Sequence, residues 1–521
     1  MERGEKARQV AKQAGSFVFS RLVITGLLLL AQVIWLFVLF NLLTAYVNWL
    51  TALGIIFSVI NCLILIRKDS TAPEFKISWM VLFMLMPVQG GMLYLLWGDK
   101  RPAFRLRRKL ERAAQIIRPL RHTDPQAQAQ LEQWDHRAGH TAAYLRDYGP
   151  YPVYSNTAVQ YYPVGEAMFA DMLPALESAQ HFIFIEFFII GQGEMWDAIH
   201  EILRRKAAAG VDVRVIYDDA GSVTCLPVRY WKKLEAEGIQ SFSFNPFVPL
   251  LNLVMNNRDH RKIMVIDGHT AFTGGVNLAD EYINRHRRFG HWRDSGVRLE
   301  GMAAWSFTTM FLEFWEANRP GKLVPERFRP ELYHPEPFDS DGLVQPFSDS
   351  PVDAECVAKN VYLDLIAQAE HELLICTPYL ILDNDMLSAL CLAAKRGVNV
   401  RIYTPGIPDK KLIYQLTRSY FPSLIRAGIH IFSYTPGFLH AKTWLCDGRI
   451  AAVGSVNLDY RSLYLHFECG TLLYGCKALR KIREDFADIE RVSRAVNLTD
   501  CRTSFVGTMV SAILRMLAPL C

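Results

Sequence analysis

The sequence predicts an α/β fold of two pseudo-repeated α/β/α halves, preceded by an N-terminal transmembrane α-hairpin. Three observations carry that expectation. Two uncharged runs, residues 22–43 and 49–66, open the chain; from about residue 150 apolar strands alternate with amphipathic helices; and that alternation occurs twice with matched residues. The 521 residues leave room for about three modules of about 150 residues each.

Each opening run is long enough to span a bilayer. A secretory signal peptide fits poorly, because the first run exceeds a typical signal core and no small-residue cleavage site precedes the second. Arg3, Lys6, Arg8, Lys12 and Arg21 flank the pair on one side and Arg67 and Lys68 on the other. Positive charge stays cytoplasmic, so both ends of the hairpin are expected inside. A third apolar stretch, residues 77–97, is broken by Pro87-Val88-Gln89-Gly90-Gly91 and reads as re-entrant or interfacial, with a third ordinary span as the alternative. The basic run 100–121 that follows would lie along anionic headgroups. The expected divisions are 1–68 for the hairpin, 69–150 for the interfacial segment and basic linker, 151–330 for the first half, and 331–521 for a linker, the second half and a C-terminal helix.

The formal charge of +5 hides an asymmetry: residues 1–121 hold 17 Lys+Arg against 6 Asp+Glu, a net of +11, which leaves −6 for residues 122–521. Nucleic-acid binding wants a basic catalytic region, so a nuclease is disfavoured. The ten cysteines form no C-x-x-C pair, and most lie in apolar runs such as Leu374-Ile375-Cys376. That usage points away from a zinc site and towards a reduced, cytosol-facing globular part.

The repeat is read from matched segments. His181-Phe182-Ile183-Phe184-Ile185-Glu186 is a buried strand, followed by a helix ending Ala207-Ala208-Ala209-Gly210 and a strand Val211-Asp212-Val213-Arg214-Val215. The second copy runs Glu372-Leu373-Leu374-Ile375-Cys376, a helix through Ala394-Lys395-Arg396-Gly397, and Val398-Asn399-Val400-Arg401-Ile402. Leu234-Glu235-Ala236-Glu237-Gly238-Ile239 and Leu424-Ile425-Arg426-Ala427-Gly428-Ile429 are a further matched helix stop and strand. A Pro-rich stretch from about Pro320 to Pro351 is expected to join the halves.

Each half closes with one array. His260-Arg261-Lys262 is followed by Asp267-Gly268 and Gly274-Gly275-Val276-Asn277; His440-Ala441-Lys442 by Asp447-Gly448 and Gly454-Ser455-Val456-Asn457. One H-x-K-x4-D arises by chance; two copies 180 residues apart with matched tails do not. His and Lys two apart on a strand project to one face. Asp267 and Asp447 lie roughly 16 Å further along, at hairpin signals, so a turn-forming role is expected of them. The returning strand brings Asn277 or Asn457 back, where an amide can donate to phosphate oxygens.

These duplicated arrays resemble the signature of the phospholipase D superfamily. With the hairpin, Leu95-Leu96-Trp97-Gly98, His291-Trp292-Arg293-Asp294 and Asn457-Leu458-Asp459-Tyr460-Arg461-Ser462, nearly the whole chain is similar to the bacterial cardiolipin synthases. Gly275 stands where the second array has Ser455, and Leu382 where the family often has Pro. The resemblance implies a membrane phosphatidyltransferase that joins two phosphatidylglycerols into cardiolipin and glycerol through a phosphohistidine. It implies a catalytic set His260, Lys262, Asp267, His440, Lys442 and Asp447, substrate contacts from Asn277, Ser455 and Asn457, and His-orienting carboxylates Asp294 and Glu468. His260 is assigned as the nucleophile by the same analogy. No metal and no cofactor are expected; the partners are phosphatidylglycerol and anionic membrane lipids, with no nucleic acid and with a homo-oligomer left open. The expected location is the bacterial cell membrane, multi-pass, with the catalytic part cytoplasmic. A phospholipase D-type hydrolase or a transferase using another alcohol shares the chemistry, whereas a non-enzymatic membrane scaffold would leave the doubled His–Lys pairs unexplained. Ten extra residues before the first array include Asn245-Pro246-Phe247-Val248-Pro249-Leu250-Leu251, read as an apolar lip beside the site, with ordinary packing as the alternative.

Overall fold

The computed structural model describes residues 30, 33, 34, 37, 47–68, 73–95, 104–121, 124–246, 257–321, 323–353 and 355–520. The chain divides into two compact units, Met1–Ala103 with Pro246–Met255, and Phe104–Asn245 with Asn256–Cys521. Most of the first expected span lies outside the described residues, as does the expected lip beyond Pro246.

In the first unit the helix Val47–Ile66 is followed by Pro73–Leu85 and Pro87–Leu93. Its burial is inverted. Gly54, Ser58, Asn61 and Leu65 are buried on one face, while Leu53, Ile55, Ile56, Val59, Ile60, Leu63 and Ile64 are exposed. The buried polar groups are satisfied locally: Ser58 Oγ donates to the Pro87 carbonyl at 2.7 Å, and Asn61 Nδ2 to that of Phe57 at 2.8 Å. The stretch 77–97 breaks at Met86-Pro87, where proline cannot supply the next helical N–H. A Cβ on Gly91 would fall 2.3 Å from Phe57 Cε1, so the third helix packs on the first only because that residue is glycine. Among the described residues no helix is long and apolar enough to cross a membrane.

The second unit holds the repeat. Its first half contributes β1 (Thr157–Tyr162), β2 (Phe182–Phe187), β3 (Asp212–Asp218), β4 (Gln240–Phe244), β5 (Arg258–Asp259), β6 (Lys262–Ile266), β7 (Thr270–Gly274), β8 (His291–Arg293) and β9 (Gly296–Gly301). The second contributes β10 (Leu343–Asp349), β11 (Glu372–Cys376), β12 (Asn399–Pro405), β13 (His430–Tyr434), β14 (Gly437–Leu439), β15 (Thr443–Cys446), β16 (Ile450–Gly454), β17 (His466–Tyr474) and β18 (Ser493–Val496). The main sheets run β1-β9-β7-β6-β2-β3-β4 and β10-β17-β16-β15-β11-β12-β13-β18, the same order with one strand added. β2 and β3, like β11 and β12, are parallel neighbours joined through a helix, while the hairpins β6–β7 and β15–β16 are antiparallel. Gly210, Gly238, Gly397 and Gly428 all take positive φ at helix stops, a conformation that only glycine adopts without cost.

The Pro-rich stretch is not all linker: β10 lies within it and forms the edge of the second sheet, where Pro346 is tolerated because an edge strand does not need every N–H. The helix Phe104–Ile117, placed by sequence in a membrane-facing linker, belongs to the second unit and packs against the largely buried helix Ala304–Asn318. Just beyond it, Arg121 donates to Glu313 at 2.7 Å and to Thr309 Oγ1 at 3.0 Å.

The halves also exchange strands. β5 of the first half pairs with β17 of the second over Arg258↔His466 and Asp259↔Phe467, and β14 of the second pairs with β8 of the first over Gly437↔His291 to Leu439↔Arg293. Both pairings are parallel, and each delivers the chain directly into a His–Lys array.

Candidate active site

His260 and His440 are each the residue after an exchanged strand. Their backbone N–H groups donate across the boundary between halves, His260 to the Phe467 carbonyl at 2.9 Å and His440 to that of Arg293 at 2.7 Å. The imidazoles follow the backbone. His260 Nδ1 lies 2.9 Å from Glu468 Oε1 and 3.0 Å from Oε2, and His440 Nδ1 lies 2.6 Å from Asp294 Oδ2. Each histidine is thus held by the other half's carboxylate. With Nδ1 committed to a carboxylate, Nε2 is the ring nitrogen left for chemistry.

Lys262 starts β6 and Lys442 immediately precedes β15; both are fully buried, and each Nζ donates to the carbonyl of its own histidine. Arg261, between His260 and Lys262, instead pairs with Asp259 at 3.0 Å and Glu186 at 2.5 Å. Burial holds both imidazoles well below the ordinary histidine value, and Lys262 and Lys442 reinforce the shift on each. The ammonium groups are depressed too, by burial, Lys262 to about 8 and Lys442 to about 7. Burial pushes Asp294 up to about 7 against the pull of Lys442. The two imidazoles and the two ammonium groups also act on one another across the halves, Lys442 on His260 and Lys262 on His440, so the four stand in one cluster.

Asp267 and Asp447 do not join this cluster. Asp267 accepts from the backbone N–H groups of Gln180, His181 and Phe182, and Asp447 from those of Glu370, His371 and Glu372, all six at 2.8 Å. Both sit at positive φ in the hairpin turn. Through these bonds each carboxylate ties the start of β2 or β11 to the turn.

The three expected substrate contacts differ. Asn277 is spent on the protein, its Oδ1 accepting from Ile189 N at 3.0 Å and its Nδ2 donating to Tyr282 Oη at 2.7 Å. Ser455 Oγ donates to Glu468, the carboxylate of His260. Asn457 is buried, and its Oδ1 has no hydrogen-bond partner among the described residues. Gly275, the counterpart of Ser455, is explained by space: a Cβ there would stand 2.0 Å from Asp294 Oδ1.

Other residues at the site lie outside the His–Lys arrays. Phe188 meets His260 at a ring separation of 5.0 Å; Trp292, Tyr282 and Phe438 surround His440 at 5.2, 5.5 and 5.7 Å. His466 lies 5.4 Å from the His260 ring and 3.7 Å from Glu468. Its place two residues before Glu468 on one strand was the available signal, since alternate residues share a face. His260, His466 and Glu468 bring three ligand atoms within 4.8 Å of one another, the one such trio among the described residues. Two of those atoms are already joined by the His260–Glu468 hydrogen bond, so a cation there would have to replace that bond.

A family model described as cardiolipin synthase, PLD-like domain, matches residues 172–288 and 362–489, and one described as phospholipase D-nuclease N-terminal matches residues 52–98. An uncharacterized protein of Streptococcus mutans serotype c is 42% identical over 447 residues, 85% of this chain and 96% of the relative. A cardiolipin synthase of Geobacillus sp. strain WCH70 is 33% identical over 89% of this chain and 92% of its own length; cardiolipin synthase 1 of Bacillus cereus is 32% identical over 93% and 96%. A crystal structure of phosphatidylserine synthase from Haemophilus influenzae Rd KW20 shares the fold, with a TM-score of 0.54 over 73% of this chain and 97% of that one at 15% identity. The duplicated α/β architecture is that of the phospholipase D-like class. Within that class the chain belongs to the cardiolipin synthase family and is a phosphatidyltransferase.

Proposed function

We propose that the protein joins two phosphatidylglycerols into cardiolipin and free glycerol at the site shared by the two halves. The observation that carries this reading is the crossed pairing, His260 with Glu468 and His440 with Asp294, which supplies two oriented imidazoles with buried ammonium groups around them. A neutral imidazole is a nucleophile, and His260 is assigned that task. Its Nε2 attacks the phosphorus of the first phosphatidylglycerol, the N–P bond forms, and the bond to the glycerol oxygen breaks. The anion that enters favours an imidazolium where the empty site disfavours one, so one proton accompanies substrate and His440 passes it to the departing glycerol. A hydroxyl of the second phosphatidylglycerol then gives its proton to His440 and attacks phosphorus, which releases cardiolipin and restores His260. Lys262, Lys442 and the amide of Asn457 are assigned to the phosphoryl oxygens.

The membrane hairpin is part of the proposal, with 49–66 as its second arm and the catalytic part cytoplasmic. Supporting it is the inverted burial of Val47–Ile66, apolar outside and polar inside, which suits lipid and not water. The working map keeps 1–68, 69–150, 151–330 and 331–521 as its divisions. Purified protein in phosphatidylglycerol bilayers with EDTA present should yield cardiolipin and glycerol in equal amounts. Mostly phosphatidic acid would make it a hydrolase, product only with another alcohol would change the acceptor, and a need for divalent metal would contradict the two-histidine chemistry.

A further inference from the structure

The geometry points to a second lipid-binding surface, remote in sequence from the hairpin: the C-terminal helix Phe505–Leu517 and the cationic cavity beside it dock on a bilayer of anionic phospholipid. The helix is begun by Ser504, whose Oγ accepts from Gly507 N at 3.1 Å. Phe505, Val506, Met509, Val510, Ile513 and Leu517 are all exposed, Phe505 by 80%. At 100° per residue these six fall within an arc of about 140°, so the helix turns one continuous apolar face outward. Core packing does not use it, and isolated exposed apolar residues would not line up this way.

Beside that face lies a cavity of about 760 Å³ between this helix and Lys411–Arg426. Thr508, Ser511, Ala512 and Arg515, from the adjacent side of the helix, line it together with Lys411, Arg418, Arg426 and Arg502. Five cations thus converge with no carboxylate in the lining, and none of the five forms an ion pair among the described residues. Arg515 Nε donates to Ser419 Oγ at 2.9 Å and Arg418 to the Asp500 backbone carbonyl, neutral acceptors that orient the guanidinium groups; the Asp500 carboxylate, which Arg418 also attracts, forms its ion pair with Arg494 at 3.1 Å. Lys411, Arg426 and Arg502 are exposed.

An outward apolar face flanked by five cations outside any ion pair among the described residues is the chemistry of an interfacial helix: acyl chains take the face and phosphodiester headgroups take the cavity. A free phosphate would account for the cations but leave the apolar face unused; a second copy of the chain would have to meet five positive charges. The helix also leads, through Ala518–Leu520, to contacts with Tyr460–Tyr464, the turn that follows Asn457. Docking would therefore hold the bilayer next to a segment of the active site.

The choice of lipid rests on the phosphatidylglycerol reading above. The full chain, reconstituted in bilayers carrying a trace of diazirine-tagged phosphatidylglycerol or diazirine-tagged phosphatidylcholine, is illuminated and the labelled peptides are quantified. We expect peptide 505–517 to be labelled several-fold more by the anionic probe, and Lys411→Glu with Arg426→Glu and Arg502→Glu to lower that yield by about tenfold or more. Equal labelling by both probes, no labelling, or a yield unchanged in a triple variant of normal melting temperature would overturn the proposal; the two-probe comparison stands on the unaltered protein alone. Cardiolipin is assayed on the same samples. Labelling without product would sink the phosphatidyltransfer to phosphatidylglycerol and leave the docking surface standing.

Discussion

Glu468 and Asp294 show how little a residue's sequence neighbours say about its work. Each follows the array of one half and pairs with the histidine of the other, and the H-x-K-x4-D spacing carries no trace of that exchange. Replacing the carboxylate by an amide leaves the shape but removes the group that orients and stabilises an imidazolium, a change worth on the order of 10³–10⁴-fold in kcat where it has been isolated. Glu468→Gln and Asp294→Asn should both lose activity on that order at unchanged melting temperature, read by cardiolipin formation; a loss under tenfold would remove the crossed pairing from the mechanism. The turn aspartates should behave in the opposite way. Asp267→Asn gives up a carboxylate that accepts three backbone N–H groups, so it should cost about 2–3 kcal/mol of stability by thermal melting, with activity kept in the folded fraction. A stable but inactive Asp267→Asn would return that residue to the chemistry. The lysines set the pH response. Their values lie below the ordinary lysine range, so rising pH strips the charge early, from Lys442 at about 7 and from Lys262 at about 8 in the empty site. Because kcat/KM reads the free enzyme, it should begin to fall as pH climbs past about 7 and fall more steeply past about 8, while kcat, read with the anion bound, holds to higher pH. A kcat/KM that stays flat into the ordinary lysine range would contradict the assignment of both ammonium groups to phosphate capture.

At the scale of elements, what was legible in the sequence was whatever carries a local period. β2 and β11 are largely apolar, buried runs, β3 and β12 follow them as matched strands opening Asp212-Val213-Arg214 and Asn399-Val400-Arg401, and the helices between end on glycines at positive φ; these marks stand out without any contact information. Gly397→Ala tests the last mark cleanly, since nothing lies within 4 Å of an added Cβ and only the left-handed backbone opposes it. It should cost about 1 kcal/mol in melting experiments with activity unchanged; no loss would show that the helix stop tolerates another geometry. β5, β8 and β14 were not legible, being two or three residues long with partners 208 residues away for β5 and 146 for β14 and β8. Such pairings have no periodicity of their own. β10 was hidden by Pro346, which reads as a loop signal until the strand is known to be an edge. Tyr282 and His466 were missed, and Trp292 was quoted without a role, for a related reason: aromatic and imidazole groups that line a site by tertiary contact look like ordinary core residues along the chain.

For the whole molecule, the exchanged strands mean that neither half owns a complete site. The first half alone would keep His260 without Glu468, and the second would keep His440 without Asp294, so a chain ending at residue 330 should be inactive even where it folds. Topology is a separate question, tested with single cysteines reacted in intact cells with an impermeant reagent: one at Tyr46 should react and one at the exposed Lys477 should be protected, and the reverse would place the catalytic part outside. The central claim is narrower, that one site built from both halves carries the phosphatidyl group on His260 while His440 moves the proton. Enzyme turning over phosphorus-labelled phosphatidylglycerol, quenched in alkali and digested, measures this directly. The label should be found on the peptide containing His260, as an alkali-stable and acid-labile adduct, and should be absent from it in Glu468→Gln. Label on His440 would reverse the roles of the two halves, and turnover with no adduct on either histidine would contradict the covalent route.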